Sequence, residues 1–225
     1  MTEIKALRSA DGGSAVLVEC LIAPDAAADP AARPERHTYT ILAEQYRQLR
    51  LKRGPLTEEE AEALETASEL CGAVRKGRQL LSYGPCSALT LRQKLRARGF
   101  PAVIAAEAVD VILSDGIIDE EGDAVREAEK RVAHGDARAA ILSRLHAHGY
   151  CADAVDAAVR YLNTVDFTAV CAEAMKKKCR SLPDDEGERK KMIASLLRAG
   201  FTGQEVREAA VRLTTIREEE ENKWK

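Results

Sequence analysis

The sequence predicts a mainly α fold of three tandem three-helix repeats, and three observations carry that prediction. The segments Leu91–Phe100 (LRQKLRARGF), Ile141–Tyr150 (ILSRLHAHGY) and Met192–Phe201 (MIASLLRAGF) align without gaps. Each ends in a glycine followed by an aromatic residue, and the glycines, Gly99, Gly149 and Gly200, stand 50 and 51 residues apart. Aromatic residues make up only 4% of the chain while alanine is plentiful, which favours closely packed helices over a β-sandwich or barrel.

The repeated segment has a physical logic. Residues four apart share a helix face, so Leu91/Leu95, Ile141/Leu145 and Met192/Leu196 each make a buried stripe. Glycine suits the left-handed position that ends a helix. With Gly99 there, Leu95 and Phe100 are the two residues that meet across a Schellman cap; Leu145 with Tyr150 and Leu196 with Phe201 repeat the arrangement.

A helix follows each glycine, with apolar spacing at Ile104, Ala108, Val109 and Ile112, then Val155, Ala158, Val159 and Leu162, then Val206, Ala209, Ala210 and Leu213. A helix also precedes each repeated segment. Thr57-Glu58-Glu59-Glu60 is a capping box opening a long helix toward Leu81, stopped by Gly84-Pro85. Asp119 opens the second such helix, which ends near Gly135, with Asp136 expected to cap the next. Asp166 or Thr168 opens the third, and 181–185 closes it. Thr202 with Glu205 is a further capping box. The expected boundaries are 57–118, 119–164 and 165–225. One unit of about 50 residues buries little core, so three should stack into an elongated array, straight or curved.

The first 56 residues read differently. Ala15–Ile22 is apolar and β-prone, and His37–Leu42 alternates; the two are expected to pair as a small antiparallel sheet. Residues 25–34 read as a loop, Tyr46–Arg53 as a helix, and Gly54-Pro55 as its punctuation.

Composition excludes several classes. No run approaches the roughly 20 apolar residues of a membrane span, and the first residues lack a signal core, so a cytoplasmic protein without membrane contact is expected. Of Cys20, Cys71, Cys86, Cys151, Cys171 and Cys179, no two form a C-x-x-C pair; they are expected to be buried or half-buried thiols rather than zinc ligands. His146 and His148 point to opposite sides of a helix and make no chelating pair. There is no phosphate-binding glycine loop, nucleophile elbow or metalloprotease motif. Asp119, Glu120 and Glu121 sit at a helix start, where carboxylates favour the helix dipole. No enzyme, metal or cofactor is expected.

Charge carries the functional signal. The net charge is −3, yet no acidic residue lies between Glu69 and Glu107. That window holds Arg75, Lys76, Arg78, Arg92, Lys94, Arg96 and Arg98. A second basic cluster is Lys176, Lys177, Lys178 and Arg180, followed by Arg189, Lys190 and Lys191. Acids gather at 58–62, 115–123 and 218–221. Such segregation suits an acidic protein face or a nucleic-acid backbone.

Together these residues resemble the bacterial RecX family of RecA regulators. The likeness rests on Leu91-Arg92-Gln93-Lys94-Leu95 with Gly99-Phe100, on Leu113-Ser114-Asp115-Gly116-Ile117-Ile118-Asp119-Glu120, and on Ala174-Met175-Lys176-Lys177-Lys178 through Glu188-Arg189-Lys190-Lys191 to Gly200-Phe201. Leu56-Thr57-Glu58-Glu59-Glu60 resembles the start of the family's first helix, and the likeness runs from about Leu56 to Leu213. Gly122-Asp123-Ala124 and the lead Pro85–Thr90 depart from the family pattern.

The resemblance implies a non-enzymatic monomer that binds RecA, or the groove of the RecA–single-stranded DNA filament. It would restrain filament extension, strand exchange, ATP hydrolysis and cleavage of the SOS repressor, with roles in recombination, DNA repair and the SOS response. Weak DNA contact through the basic faces is part of the expectation. The candidate partner-binding residues are Arg75, Arg78, Arg92, Lys94, Arg96, Arg98, Arg144, Lys176, Lys177, Lys178, Arg180, Arg189, Lys190 and Lys191. Two alternatives stay open: a nucleic-acid-binding protein acting without RecA, and a helical adaptor for an unrelated protein.

Overall fold

The computed structural model describes residues 2–23, 33–178 and 185–223, with side chains at all of these except 178 and 215–223. The chain divides into two compact units, Met1–Ile118 and Asp119–Lys225.

In the first unit, strands β1 (Thr2–Ala10), β2 (Ala15–Ile22), β3 (Glu35–Leu42) and β4 (Gly54–Pro55) form an antiparallel sheet in the order β3-β2-β1-β4. The expected pair is present: β2 and β3 align from Ala15 opposite Leu42 to Ile22 opposite Glu35. Strand β1 is an addition to that expected pair. Its polar alternation leaves only Ile4 fully buried, and the strand is positioned by the turn Asp11-Gly12-Gly13, all three residues having positive φ. Asp-Gly between two β-capable runs is a hairpin signal. The short helix α1 (Ala43–Leu49) begins and ends earlier than the predicted 46–53, because Arg50 turns into the left-handed region at φ 49°.

Helix α2 (Glu58–Ser82) opens on the predicted capping box. Glu60 N–H donates to Thr57 Oγ1 at 3.2 Å, and Thr57 N–H donates to Glu60 Oε2 at 2.9 Å. Its first half contributes Leu64 and Ala67 to the core under the sheet, with Ile4, Val18, Cys20, Tyr39 and Ile41. Its second half contributes Leu70, Val74 and Leu80 to a different core, with Leu91 and Leu95 of α3 (Ala88–Arg96) and Ile104, Val109 and Ile112 of α4 (Ala102–Ser114). One helix of about 37 Å therefore serves both cores.

The second unit holds α5 (Glu120–His134), α6 (Arg138–Ala147), α7 (Ala152–Leu162), α8 (Phe167–Lys178), α9 (Glu186–Arg198) and α10 (Gly203–Lys223). Helices α5–α7 close on Ala124, Ala128, Ile141, Leu145, Val155, Ala158 and Leu162. Helices α8–α10 close on Cys171, Met175, Met192, Leu196, Val206 and Ala209. Asp119 caps α5 by accepting from the Gly122 N–H, and Asp166 accepts from the N–H groups of Thr168 and Ala169. Asp136 does not cap α6. Ala137 takes that position, and the Asp136 carboxylate turns back to Arg131 and His134.

All three Schellman caps form. The Phe100, Tyr150 and Phe201 N–H groups donate to the carbonyls of Leu95, Leu145 and Leu196 at 3.4, 3.3 and 3.2 Å. The glycine N–H groups donate to Arg96, His146 and Leu197 at 3.0, 2.9 and 3.0 Å. Each glycine has positive φ.

Among the described cysteines, Cys20, Cys71, Cys86 and Cys171 are buried. Burial raises the thiols of Cys20 and Cys71, and pushes that of Cys171 up to about 11. These are packing thiols, kept protonated. Cys151 departs from expectation in being exposed at the start of α7. Cys179 lies outside the described residues. Among the described residues, no cluster of His, Cys, Asp and Glu could hold a metal ion, and no helix is long and apolar enough to cross a membrane.

Candidate cationic contact surface

The acid-free window falls on α2, α3 and the cap after α3. Burial of Leu91 and Leu95 turns the rest of α3 outward, which is why its basic residues reach solvent. They are not equivalent. Arg78 reaches Asp115 at 2.6 Å, an acid just beyond the window in sequence and at the end of α4 in space. Arg92 lies 4.0 Å from Asp110, and its Nε is buried without a partner. Arg75 lies 4.0 Å from Asp11 in the β1–β2 turn. Among the described residues, Lys76, Lys94, Arg96 and Arg98 make no ion pair. Lys76 donates to Gln79 Oε1 at 2.9 Å, and Arg98 donates to the Lys94 carbonyl at 2.9 Å.

Three of these cations converge. Arg75 and Lys76 of α2 and Arg98 of the cap line an open cleft of about 580 Å³, together with Gly72, Gln79 and Phe100. No carboxylate lines it. Phe100 sits in the helix cap as its spacing predicts, and, half-buried against the α2–α4 core, it also forms the cleft's aromatic wall, which its spacing does not reveal. Gly72 and Gln79 carry no motif; the one signal in the sequence is a glycine inside a long helix, which asks for a reason.

The second-unit candidates are mostly engaged locally. Arg144 of α6 donates to Glu127 Oε1 of α5 at 2.9 Å, as does Arg131. Burial opposes ionisation of Glu127, but the hydrogen bonds from the two arginines outweigh it and hold its carboxyl below the ordinary range. Arg144 thus ties two helices together. Lys176 pairs with Glu173 at 2.9 Å, Lys190 with Glu186 at 2.7 Å, and Lys177 donates to the His134 carbonyl at 3.0 Å. Arg189 and Lys191 are exposed on the first turns of α9. Arg180 and the Lys178 side chain lie outside the described residues.

No protein-family model matches the chain, and no curated protein matches it in sequence. Solved structures do match it. The crystal structure of a regulatory protein RecX superposes with a TM-score of 0.69 over 91% of this chain and 97% of that one, at 15% identity. RecX from Lactobacillus salivarius superposes with a TM-score of 0.56 over 66% of this chain and 99% of that one, at 16% identity. At such identities the likeness speaks for the fold, and the mainly helical chain with its small N-terminal sheet has the fold of the RecX regulatory proteins.

Proposed function

We propose that this protein is a RecX-like regulator that binds RecA or the RecA–single-stranded DNA filament. It restrains filament extension and, with it, strand exchange, ATP hydrolysis and SOS co-protease activity. The observation that supports this reading is the RecX fold across 91% of the chain. The cationic surface of the first unit adds to it, because Lys94, Arg96 and Arg98 have no carboxylate partner among the described residues and so keep their charge for an outside one. The protein acts in the cytoplasm by differential binding rather than by catalysis. It favours one filament state and shifts the population toward it.

The test is RecA-dependent ATP hydrolysis on single-stranded DNA, with RecA from the same organism. Inhibition below one regulator per RecA is the expected result. No effect from a folded, helical preparation overturns the reading. Within it, Lys94→Glu with Arg96→Glu should weaken inhibition while leaving the helical signal unchanged. Arg92 is a poorer probe, because its Nε is buried and its reversal disturbs packing as well as charge.

A further inference from the structure

Helix α2 divides its charge in two. From 54 to 74 the chain has no basic residue, and every acidic residue of the helix falls in that window. Arg75, Lys76 and Arg78 follow, with no acid after them on the helix. Glu62, Glu65, Glu69, Gly72, Lys76 and Gln79 recur at alternating intervals of three and four residues, so they run down one helix face. All are exposed except Lys76, which is half-buried. The macrodipole favours acids in the first turn and bases in the last, but Glu65, Glu69, Arg75 and Lys76 lie away from both ends. Other helices pair such charges internally: Glu127 with Arg131 at 2.9 Å on α5, Glu173 with Lys176 at 2.9 Å on α8, Glu186 with Lys190 at 2.7 Å on α9. On α2, Glu65 and Glu69 stand four apart, a spacing at which like charges repel. Glu62 and Glu69 make no ion pair among the described residues. Lys76 lies about 16 Å along the axis from Glu65, too far to pair with it.

We propose that this face of α2 pairs with the same face of a second copy of the chain, the two helices antiparallel. A two-fold axis passing between Glu69 and Gly72, close to the middle of the helix, sets Glu65 of each copy against Lys76 of the other and Glu62 against Gln79. The acidic half of one helix then lies along the cleft lined by Arg75, Lys76 and Arg98 of the other, a cleft with no carboxylate of its own. The Tyr39 hydroxyl donates to Glu65 Oε1 at 3.3 Å, which fixes the carboxylate while its second oxygen can still accept. Gly72 falls at the crossing. A Cβ there would stand 3.9 Å from Phe100 Cε1, so the chain itself has room for a side chain. The helix nonetheless carries glycine, against its propensity, and a glycine at a crossing lets a second backbone come close. The order of charge selects the occupant. A phosphate backbone is repelled by the acidic half, and an acidic protein suits only the basic half. An antiparallel copy answers both halves, and the two-fold makes every contact twice. One polar helix crossing is a small interface, so the pair is weak and grows with concentration. This departs from the monomer that the resemblance implies, and it does not rest on the RecX-like reading.

The experiment is sedimentation equilibrium of the full chain alone, from about 10 µM to about 300 µM. It is run at about 0.01 M and about 0.15 M salt, where charges are felt over about 30 Å and about 8 Å. A monomer–dimer equilibrium is expected at the lower salt, weakened about tenfold at the higher. Glu65→Lys and Lys76→Glu should each weaken the dimer about tenfold. Mixed in equal amounts, the two variants should associate as the parent does, because one then carries cations at both positions and the other carboxylates at both. Gly72→Leu should also weaken the dimer about tenfold by holding the helices apart, with the far-ultraviolet helical signal unchanged in every variant. The proposal fails if the parent sediments as a monomer throughout the range at low salt, which would leave this face to a different partner. It also fails if a dimer forms but neither charge reversal weakens it, if the mixture does not restore it, or if salt strengthens it; each of these places the contact elsewhere on the chain. Because RecA is absent, failure here leaves the ATP-hydrolysis test of the RecX-like reading untouched.

Discussion

A Cβ on Gly77 would stand 2.5 Å from Cδ1 of Ile112, so α2 and α4 approach as closely as they do only because position 77 has no side chain. Ile112 is fully buried and has little room to yield. Gly77→Leu should therefore lower stability by about 2–3 kcal/mol through overpacking. Five residues earlier on the same helix, Gly72→Ala should raise it by about 0.5–1 kcal/mol, because Gly72 faces solvent and the change gains helix propensity. Urea unfolding of the two variants reads the opposite signs. Equal effects would show that the two positions do not differ as described.

The repeated caps allow a graded comparison. Gly99 and Gly200 have φ of 93° and 99°, a region that costs a side chain about 1–2 kcal/mol. At Gly99 an added Cβ meets nothing within 4 Å, whereas at Gly200 it meets Ala139 Cβ at 3.3 Å and Ala140 N at 3.4 Å. Gly200→Ala should be the more damaging change in a thermal melt, and Gly99→Ala should show the backbone cost alone.

Glu127 gives a pH signature. Its folded carboxyl is held below the ordinary value, chiefly because hydrogen bonds from Arg131 and Arg144 outweigh the opposing effect of burial. A depressed pKa means the stabilisation is fully present above the unfolded value of about 4.3, and is lost as pH falls through the folded value. Glu127→Gln should thus cost about 1 kcal/mol at neutral pH. The gap between variant and parent should close below about pH 4. A gap that persists in acid would mean the loss is steric.

Much of this was legible because local rules and tertiary packing agree. The spacing of Leu91, Leu95, Gly99 and Phe100 specifies a buried stripe and its cap, and both are there. The pair Thr57/Glu60 specifies a helix start with the same economy. What stayed hidden depends on partners distant in sequence. Arg78 reads as free charge until α4 brings Asp115 beside it, and Arg144 until α5 brings Glu127. Strand β1 carries little apolar signal of its own and is held by its neighbours. The role of Gly72 shows only when Phe100 is seen across from it.

Helix α2 contributes to two cores, so the first unit should open as one cooperative piece. Backbone amides of β2 and of the second half of α2 should exchange with solvent at a common opening free energy, although Val18 and Val74 belong to different cores. No cut between the sheet and helices α2–α4 leaves two closed surfaces: a chain beginning at Leu56 would turn Leu64 and Ala67 toward water. The N-terminal sheet is in this sense a lid on α2 itself, and losing it would loosen the cleft between α2 and Phe100 without touching a single residue that lines it.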